Sequence, residues 1–191
     1  CGLLAALAAA AAVWLLCRWV GYDLQLRLGD KQQFEIVNDD YSRIIDVPDE
    51  GLVQTLPLKA GQSICGVRLN FSTHGVLYKC GMVMVDLYDE NGQLLGQGAG
   101  NFLNIFDDSF TAFAYSGSYT AEKDEVLTLH IYNEVAWDGP LGLWASEGTV
   151  PGMPLYAGDT AQDATLALQI MTDRSADWPT RLAQRLAPLL A

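Results

Sequence analysis

Short segments in which apolar and polar residues alternate follow one another from Leu24 to Met171, with turn residues between them at a spacing of roughly 8 to 12 residues. Side chains of a β-strand point alternately to the two faces of a sheet, so this period of two predicts half-buried strands. No helical pattern of comparable length interrupts them. We therefore expect an all-β sandwich or barrel over residues 22–173. The segments are LQLRL, FEIV, LVQTLPL, SICGVRLNF, GMVMVDLY, QLLGQG, SFTAFAY, EVLTLHIY, LGLWAS and ATLALQIM.

The alternation also assigns side chains to faces. Cys65 falls on the inward parity of its segment, and Cys80 on the outward parity of the next. A hairpin centred on His74-Gly75 would place Cys65 opposite Met84, so we predict two thiols that form no disulfide with each other. The residues expected to share one core include Val83, Val85, Leu129 and Leu143.

One hairpin, VDLYDENGQLLG, has a turn whose length sets the register. A two-residue Asn-Gly turn would place Leu87 opposite Gly96. A three-residue loop, Glu90 to Gly92 with Gly92 left-handed, would instead pair Leu87 with Leu95. We favour the three-residue loop because it puts both leucines on the core side.

The first 21 residues are strongly apolar. Residues 1–17 carry no charge, and a helix rising about 1.5 Å per residue nearly crosses a bilayer core over that length. Arg18 is expected to extend toward the headgroups, with Trp14 and Trp19 at interface depth. We predict an N-terminal transmembrane helix over residues 1–21. A cleaved signal peptide and a lipid-modified Cys1 are the alternatives.

The rest of the chain is acidic and ends in a basic stretch. The sequence holds 23 Asp and Glu against 11 Lys and Arg, for a net charge of −12, and such a surface repels nucleic acid. Residues 174–191 predict a short C-terminal amphipathic helix, with leucines on one face and Arg181 and Arg185 beside them. Contact with the membrane surface and packing on the sandwich are both open for it.

Catalytic and metal-binding motifs are sparse. His74 and His130 are the two histidines, and HExxH, CxxC and GxSxG are absent, so we expect no catalytic or metal-ligating residue and no cofactor. Acidic clusters such as Asp89-Glu90 and Asp107-Asp108 adjoin turn residues, where they close local backbone hydrogen bonds; calcium binding is the alternative. The stretch GQGAGN imitates a phosphate loop, but we interpret it as a strand thinned by glycine for close backbone approach.

The outward parity yields a candidate ligand site. If the strands that carry the outward-facing aromatic and polar residues are neighbours in one sheet, these residues form an aromatic platform with polar partners. Such a platform suits sugar rings, which stack on aromatic side chains and form hydrogen bonds through their hydroxyls. The alternative is that a connection or the C-terminal helix covers these rings. The predicted ligand-binding residues are Arg68, Asn70, His130, Tyr132 and Trp144, with Trp137 at the rim.

The succession LVQTLPLKAGQSICGVRLNF, GMVMVDLYDENGQLL, EVLTLHIYN and GPLGLWAS, between Gly51 and Thr172, resembles a known kind of module. It is similar to the extracytoplasmic β-sandwich of bacterial multi-spanning envelope membrane proteins, either uncharacterised or of the glycosyltransferase-like kind. The resemblance implies a jelly-roll-type β-sandwich like that of carbohydrate-binding modules. It carries no catalytic residue, because the transferase chemistry of such proteins would lie in membrane parts outside this sequence.

Together these features predict a non-catalytic module on the extracytoplasmic side of the bacterial cell membrane, with the lipid bilayer and cell-envelope glycan as partners. We expect this part of the chain not to be an enzyme. Two alternatives stay open: a structural or protein-interaction spacer, and a glycoside-hydrolase-like enzyme whose acidic residues converge only in the folded chain.

Overall fold

The computed structural model describes residues 32–76, 80–135 and 141–173, together with Ala12 and Trp14, which are helical. Residues 34–172 form one unit, and residues 1–33 with 173–191 form another. Apart from Ala12 and Trp14, the predicted transmembrane helix lies outside the described residues, as do LQLRL, Trp137 and the predicted helix over 174–191. Within the described ranges, no helix has the length and apolar character needed to cross a bilayer.

Two six-stranded antiparallel sheets make up the fold. The strands are β1 (Gln32–Asn38), β2 (Arg43–Asp46), β3 (Leu52–Leu58), β4 (Ser63–Ser72), β5 (Met82–Tyr88), β6 (Leu94–Asn101), β7 (Ser109–Thr120), β8 (Glu125–Val135), β9 (Gly142–Ala145), β10 (Leu155–Ala157), β11 (Thr160–Gln162) and β12 (Leu168–Asp173). The first sheet has the order β1-β12-β4-β9-β2, and β7 also pairs with β4. The second has the order β11-β10-β3-β8-β5-β6.

One hydrophobic core lies between the sheets. Val83, Val85 and Leu129 of the second sheet and Leu143 of the first belong to a single cluster of buried residues. All four are at most 1% exposed. The predicted shared core and the all-β sandwich are therefore confirmed.

A buried glutamine links elements from the two sheets. Gln54 of β3 is fully buried, and its Nε2 donates to the carbonyl oxygen of Met153 at 2.8 Å. Its Oε1 accepts from the backbone N–H of Leu166 at 3.0 Å, just before β12. Because both ends of the amide are bonded, the side chain supplies partners to backbone groups that would otherwise be buried without them.

The chain crosses between the sheets after β4, where we had predicted a hairpin. His74 and Gly75 do form a turn, closed by the Val76 N–H on the Thr73 carbonyl oxygen at 3.0 Å. However, β4 belongs to the first sheet and β5 to the second, so the predicted pairing of Cys65 with Met84 is wrong. A turn sequence fixes local reversal of the chain, but not the partner of the following strand.

The two cysteines of the sandwich occupy different environments. Cys65 is buried at a register shift between Ile64 and Gly66 of β4, and Cys80 is exposed before β5. No disulfide joins them, as predicted.

The β5–β6 hairpin confirms the predicted loop and corrects the predicted register. Gly92 has a φ of +78°, and the Asp89 N–H bonds the Gln93 carbonyl oxygen at 3.0 Å across the three-residue loop. Leu87 nevertheless pairs with Gly96 and not with Leu95. Tyr88 pairs with Leu94, so Leu95 is the extra residue of a β-bulge.

The glycines of GQGAGN allow β7 to approach β6 closely. A Cβ on Gly98 would lie 2.8 Å from the Phe113 Cβ and 3.3 Å from its Cα, and one on Gly96 would lie 2.6 Å from the Tyr115 ring. No other residue type leaves this space, which confirms the interpretation of the stretch as a glycine-thinned strand.

Candidate functional site

The predicted site residues lie on both sheets. Arg68 and Asn70 belong to β4 and Trp144 to β9, all in the first sheet, whereas His130 and Tyr132 belong to β8 in the second. The predicted single platform is therefore wrong. Strand parity tells which side chains point away from the core, but it does not tell which of the two sheets a strand joins.

The outer surface of the first sheet carries most of the aromatic and polar groups that suit a ligand. We call this surface the aromatic face; it comprises Phe34, Tyr41, Arg68, Asn70, Asp108, Phe110, Trp144 and Gln169.

Arg68 lies at the centre of the aromatic face. Its guanidinium carbon is 4.3 Å from the centroid of the Phe34 ring and 5.3 Å from that of Phe110. Nη1 donates to Oε1 of Gln169 at 3.0 Å. Rings at these distances attract the cation through their negative faces, so the half-buried side chain is held in one place.

Strand register explains why these groups meet. Val67, Leu69 and Phe71 of β4 are fully buried in the core, so Arg68 and Asn70 between them point outward. Antiparallel pairing sets Asn70 opposite Phe110 of β7 and Arg68 opposite Gln169 of β12.

Tyr41 comes from the connection between β1 and β2. Its ring is edge-on to Phe110, with centroids 6.1 Å apart and planes at 73°. The connection is fixed by Asp40, whose Oδ1 accepts from the Ser42 N–H at 3.0 Å. Tyr41 is 43% exposed and Phe34 42%, so both rings offer surface to a ligand.

Trp144 lies at the other end of the aromatic face. Its Nε1–H donates to Oδ1 of Asp108 at 2.8 Å. Ala167 connects it to Asn70, because the Ala167 carbonyl oxygen accepts from the Asn70 N–H at 3.4 Å and the Ala167 N–H donates to the Trp144 carbonyl oxygen at 2.7 Å. Because Phe71 of β4 pairs directly with Leu143 of β9, Asn70 and Trp144 follow one position further along, with Ala167 bonded between them.

The side-chain oxygen of Asn70 lacks a hydrogen-bond donor among the described residues. The residue is 7% exposed, and its Oδ1 is buried without a hydrogen-bond partner among the described residues. A buried polar atom without a partner costs about 1–3 kcal/mol. Among the described residues, this side chain of the aromatic face therefore carries an acceptor that lacks a donor and is enclosed below the surface.

The outer surface of the second sheet is organised differently, around Asp86. This carboxylate is 3% exposed and accepts from the hydroxyls of Tyr88 and Tyr132 at 3.1 and 3.2 Å and from the Gln97 amide at 3.0 Å. Burial, reinforced by Asp86, raises the pKa of both tyrosines. Both carboxylate oxygens are used internally, so the cluster holds the sheet surface together and offers little to a ligand.

His130 lies beside this cluster. Its ring stacks on Tyr132 with centroids 4.8 Å apart, and its Nε2 is 3.2 Å from the Glu50 carbonyl oxygen. His130 and Tyr132 are therefore occupied by contacts on the second sheet.

Asp89 behaves as a turn residue, as predicted, whereas Asp107 bonds to a segment that is distant along the chain. Asp89 accepts from the N–H groups of Asn91 and Gln93 at 2.9 and 2.7 Å, and Asp107 accepts from the Thr73 N–H. Over the part of the chain that the structure describes, no group of three His, Cys, Asp or Glu side chains is arranged to hold a metal ion. Calcium binding stays a prediction.

Sequence reasoning missed Phe34, Tyr41, Asp108, Phe110 and Gln169 as members of this face. A signal existed for Phe110, because Phe110 and Phe113 stand at an odd spacing in SFTAFAY and must point to opposite faces of their strand. Phe34 is two residues before Ile36, so both side chains point to the same face of β1, and Ile36 is 59% exposed. Their proximity to Arg68 depends on which strands flank β4, and the alternation does not encode that.

No family model matches the chain, and no curated protein matches it. Among solved structures, the VP2 subviral particle of infectious bursal disease virus is 13% identical at a TM-score of 0.29, covering 84% of this chain and 50% of that one. The structure of the Gx strain of the same virus shares 14% sequence identity at a TM-score of 0.30, and the match covers 83% of this chain and 48% of that chain. The virus-derived T=1 particle shares 13% sequence identity at a TM-score of 0.31, and the match covers 84% of this chain and 49% of that chain. This chain spans about half the length of these proteins, and similarity at such TM-scores carries no argument.

Proposed function

We propose that this jelly-roll-type β-sandwich is a non-catalytic carbohydrate-binding module, displayed on the extracytoplasmic side of the cell membrane by a bacterial envelope protein. The observation that carries the proposal is the aromatic face, where Arg68 lies over two rings beside Asn70. The envelope location rests on the sequence alone, on its apolar start and on the family resemblance.

Sugar rings fit this chemistry because they present two kinds of surface. Their C–H faces stack on aromatic rings, and their hydroxyls bond to amide and guanidinium groups. Tyr41 and Phe34 supply exposed ring surface, while Asn70 and Gln169 supply amides on the same face. The alternative is that a connection covers the rings. Tyr41, from the connection between β1 and β2, does contact Phe110, but its own ring remains 43% exposed.

A glycan array with the full chain tests the proposal. The protein is solubilised in a detergent without a sugar headgroup, since a maltoside would compete for the site. We expect Trp144→Leu to weaken binding about tenfold, which corresponds to about 1.4 kcal/mol of lost stacking and polar contact.

A matched control lies on the opposite surface. Tyr132→Leu also replaces a half-buried aromatic residue by leucine, but on the second sheet, and we expect it to leave glycan binding unchanged. An array without any bound glycan, or equal losses in both variants, would contradict the proposal.

A protein-interaction spacer is the second candidate, favoured by two exposed apolar side chains. Leu103 and Phe106, in the connection between β6 and β7, are 65% and 67% exposed. Exposed apolar side chains of this kind are often found at protein contacts. Self-association measured by sedimentation velocity, and lost in Phe106→Ser but not in Trp144→Leu, would support this candidate.

A further inference from the structure

We infer that the glycan bound by the aromatic face carries one carboxylate group on an otherwise neutral chain, and that Arg68 binds this carboxylate. The inference rests on the proposed function and specifies its substrate class.

Arg68 differs from the other basic residues in the described part of the chain, which are Arg43, Lys59 and Lys123. Both lysines form ion pairs, Lys59 with Asp124 at 2.7 Å and Lys123 with Glu90 at 3.0 Å. Arg43 is exposed. Arg68 is half-buried and, among the described residues, forms no ion pair, although the sequence is rich in acids.

The guanidinium of Arg68 retains unused donors. It has five N–H groups, and the described structure assigns one bond to them, from Nη1 to Gln169 Oε1. Ring contacts with Phe34 and Phe110 do not consume N–H donors. A partly desolvated guanidinium with free donors is matched best by a planar carboxylate, which can accept two parallel bonds.

Asn70 adds a requirement for a hydroxyl or amide donor. Arg68 and Asn70 are two residues apart on one face of β4, hence separated by roughly 7 Å. The Oδ1 of Asn70 is enclosed and has no donor among the described residues; once the amide turns toward the ligand, a hydroxyl can donate to it, which a carboxylate cannot do. A sugar acid offers both groups within about one ring, whereas a simple carboxylic acid or a neutral sugar offers only one of them.

The charge of the protein limits the ligand to a single carboxylate. A net charge of −12 repels a polyanion, and this repulsion grows with every further acidic group. A phosphate carries up to two negative charges and would be repelled more strongly than a carboxylate. On the aromatic face Arg68 supplies one positive charge, and Asp108, which is bonded to Trp144, supplies a negative charge that works against a second carboxylate.

An array of matched pairs tests the inference with the full chain, in detergent without a sugar headgroup. Each neutral oligosaccharide is printed beside the same oligosaccharide with one residue oxidised to its uronic acid, and an oligouronate of equal length forms a third member. Affinities for the best pair are then measured by titration calorimetry at 0.15 M salt.

We expect the singly acidic member to bind at least tenfold more tightly than the neutral one, and the oligouronate to bind less tightly than the singly acidic one. Arg68→Gln should abolish the preference, so that the neutral and the singly acidic members bind with equal affinity. Arg43→Gln is the matched control and should keep the preference, since Arg43 lies exposed near the Asp163 carbonyl oxygen.

Two results would overturn the inference and leave the proposed function intact: equal binding of neutral and singly acidic members, or tightest binding of the oligouronate. A preference that survives Arg68→Gln would also overturn it. If no member of any pair binds, the proposed function itself fails.

Discussion

Phe34 and Arg68 are in contact across the first sheet, with the guanidinium carbon 4.3 Å from the ring centroid, although β12 lies between their strands. The edge strand β1 thus contributes a ring to the centre of the aromatic face. Phe34 is 42% exposed, so one of its sides remains open to solvent while the ring fixes the arginine.

Replacement of this ring should affect ligand binding more than folding. We expect Phe34→Leu to reduce glycan affinity about five- to tenfold, because the variant loses a stacking surface and frees the Arg68 side chain. The free energy of unfolding should fall by less than about 1 kcal/mol, since much of the ring is already exposed. Calorimetric titration and denaturant unfolding measure the two effects. Ile36→Leu, on the same strand, is the control, and an equal loss of affinity there would argue against a role of the ring.

Asn70→Leu should stabilise the free protein. Leucine has a similar shape and removes the buried Oδ1 that has no partner, so we expect the free energy of unfolding to rise by about 1 kcal/mol. The same change should abolish the hydrogen bond to a ligand and weaken glycan binding. Asn70→Ala is the comparison, because it removes the same atom but leaves a cavity. Denaturant unfolding of the three proteins decides the matter, and a leucine variant less stable than the parent would show that Asn70 is structurally satisfied.

Gly98→Ala should destabilise the sandwich. The new Cβ would lie 2.8 Å from the Phe113 Cβ, so β6 and β7 would have to separate at a cost of about 1–3 kcal/mol. Gly117→Ala is the matched control on β7, where a Cβ meets nothing within 4 Å, and we expect a change within about 0.5 kcal/mol. Thermal unfolding followed by circular dichroism compares them. Equal midpoints for the two variants would mean that β7 does not press on β6 as described.

The sequence predicted the core well because burial on one face leaves a direct trace in the alternation. Val83 and Leu143 were assigned inward from their parity, and both are buried in the shared cluster. The parity argument fails at bulges, where one inserted residue breaks the alternation. Leu95 is such a residue, and its predicted pairing with Leu87 was wrong for this reason. The strands β10 and β11 span three residues each, too few to show a period.

The candidate site was predicted in part. Outward parity placed Arg68, Asn70 and Trp144 on an outer sheet surface, and the structure has all three in the first sheet, but His130 and Tyr132 belong to the other sheet. The sheet to which each strand belongs depends on long-range pairing, and local sequence carries no record of it. The same limit hid Phe34, because its contact with Arg68 requires β1 to lie beside β12.

Asp107 should make the free energy of unfolding fall at acid pH. Its carboxylate accepts from the Thr73 N–H and the Ser72 hydroxyl, joining the β6–β7 connection to the end of β4. The Thr73 N–H is the main cause that lowers the pKa of Asp107 below its usual value. A carboxyl group whose pKa is lower in the folded state stabilises the fold above its unfolded pKa of about 3.9 and loses this effect as the pH falls through the folded pKa.

Asp107→Asn isolates this effect because the amide keeps an acceptor oxygen but loses the charge. We expect the variant to unfold at a lower temperature than the parent at pH 7. The difference should shrink as the pH falls from about 4, where the unfolded chain is protonated, through the lower pKa of the folded carboxyl group. Asp159→Asn, at an exposed position between β10 and β11, is the control and should track the parent at every pH. Thermal midpoints measured from pH 7 to pH 2.5 test the expectation. A constant difference across that range would show that the oxygen geometry, and not the charge, makes Asp107 stabilising.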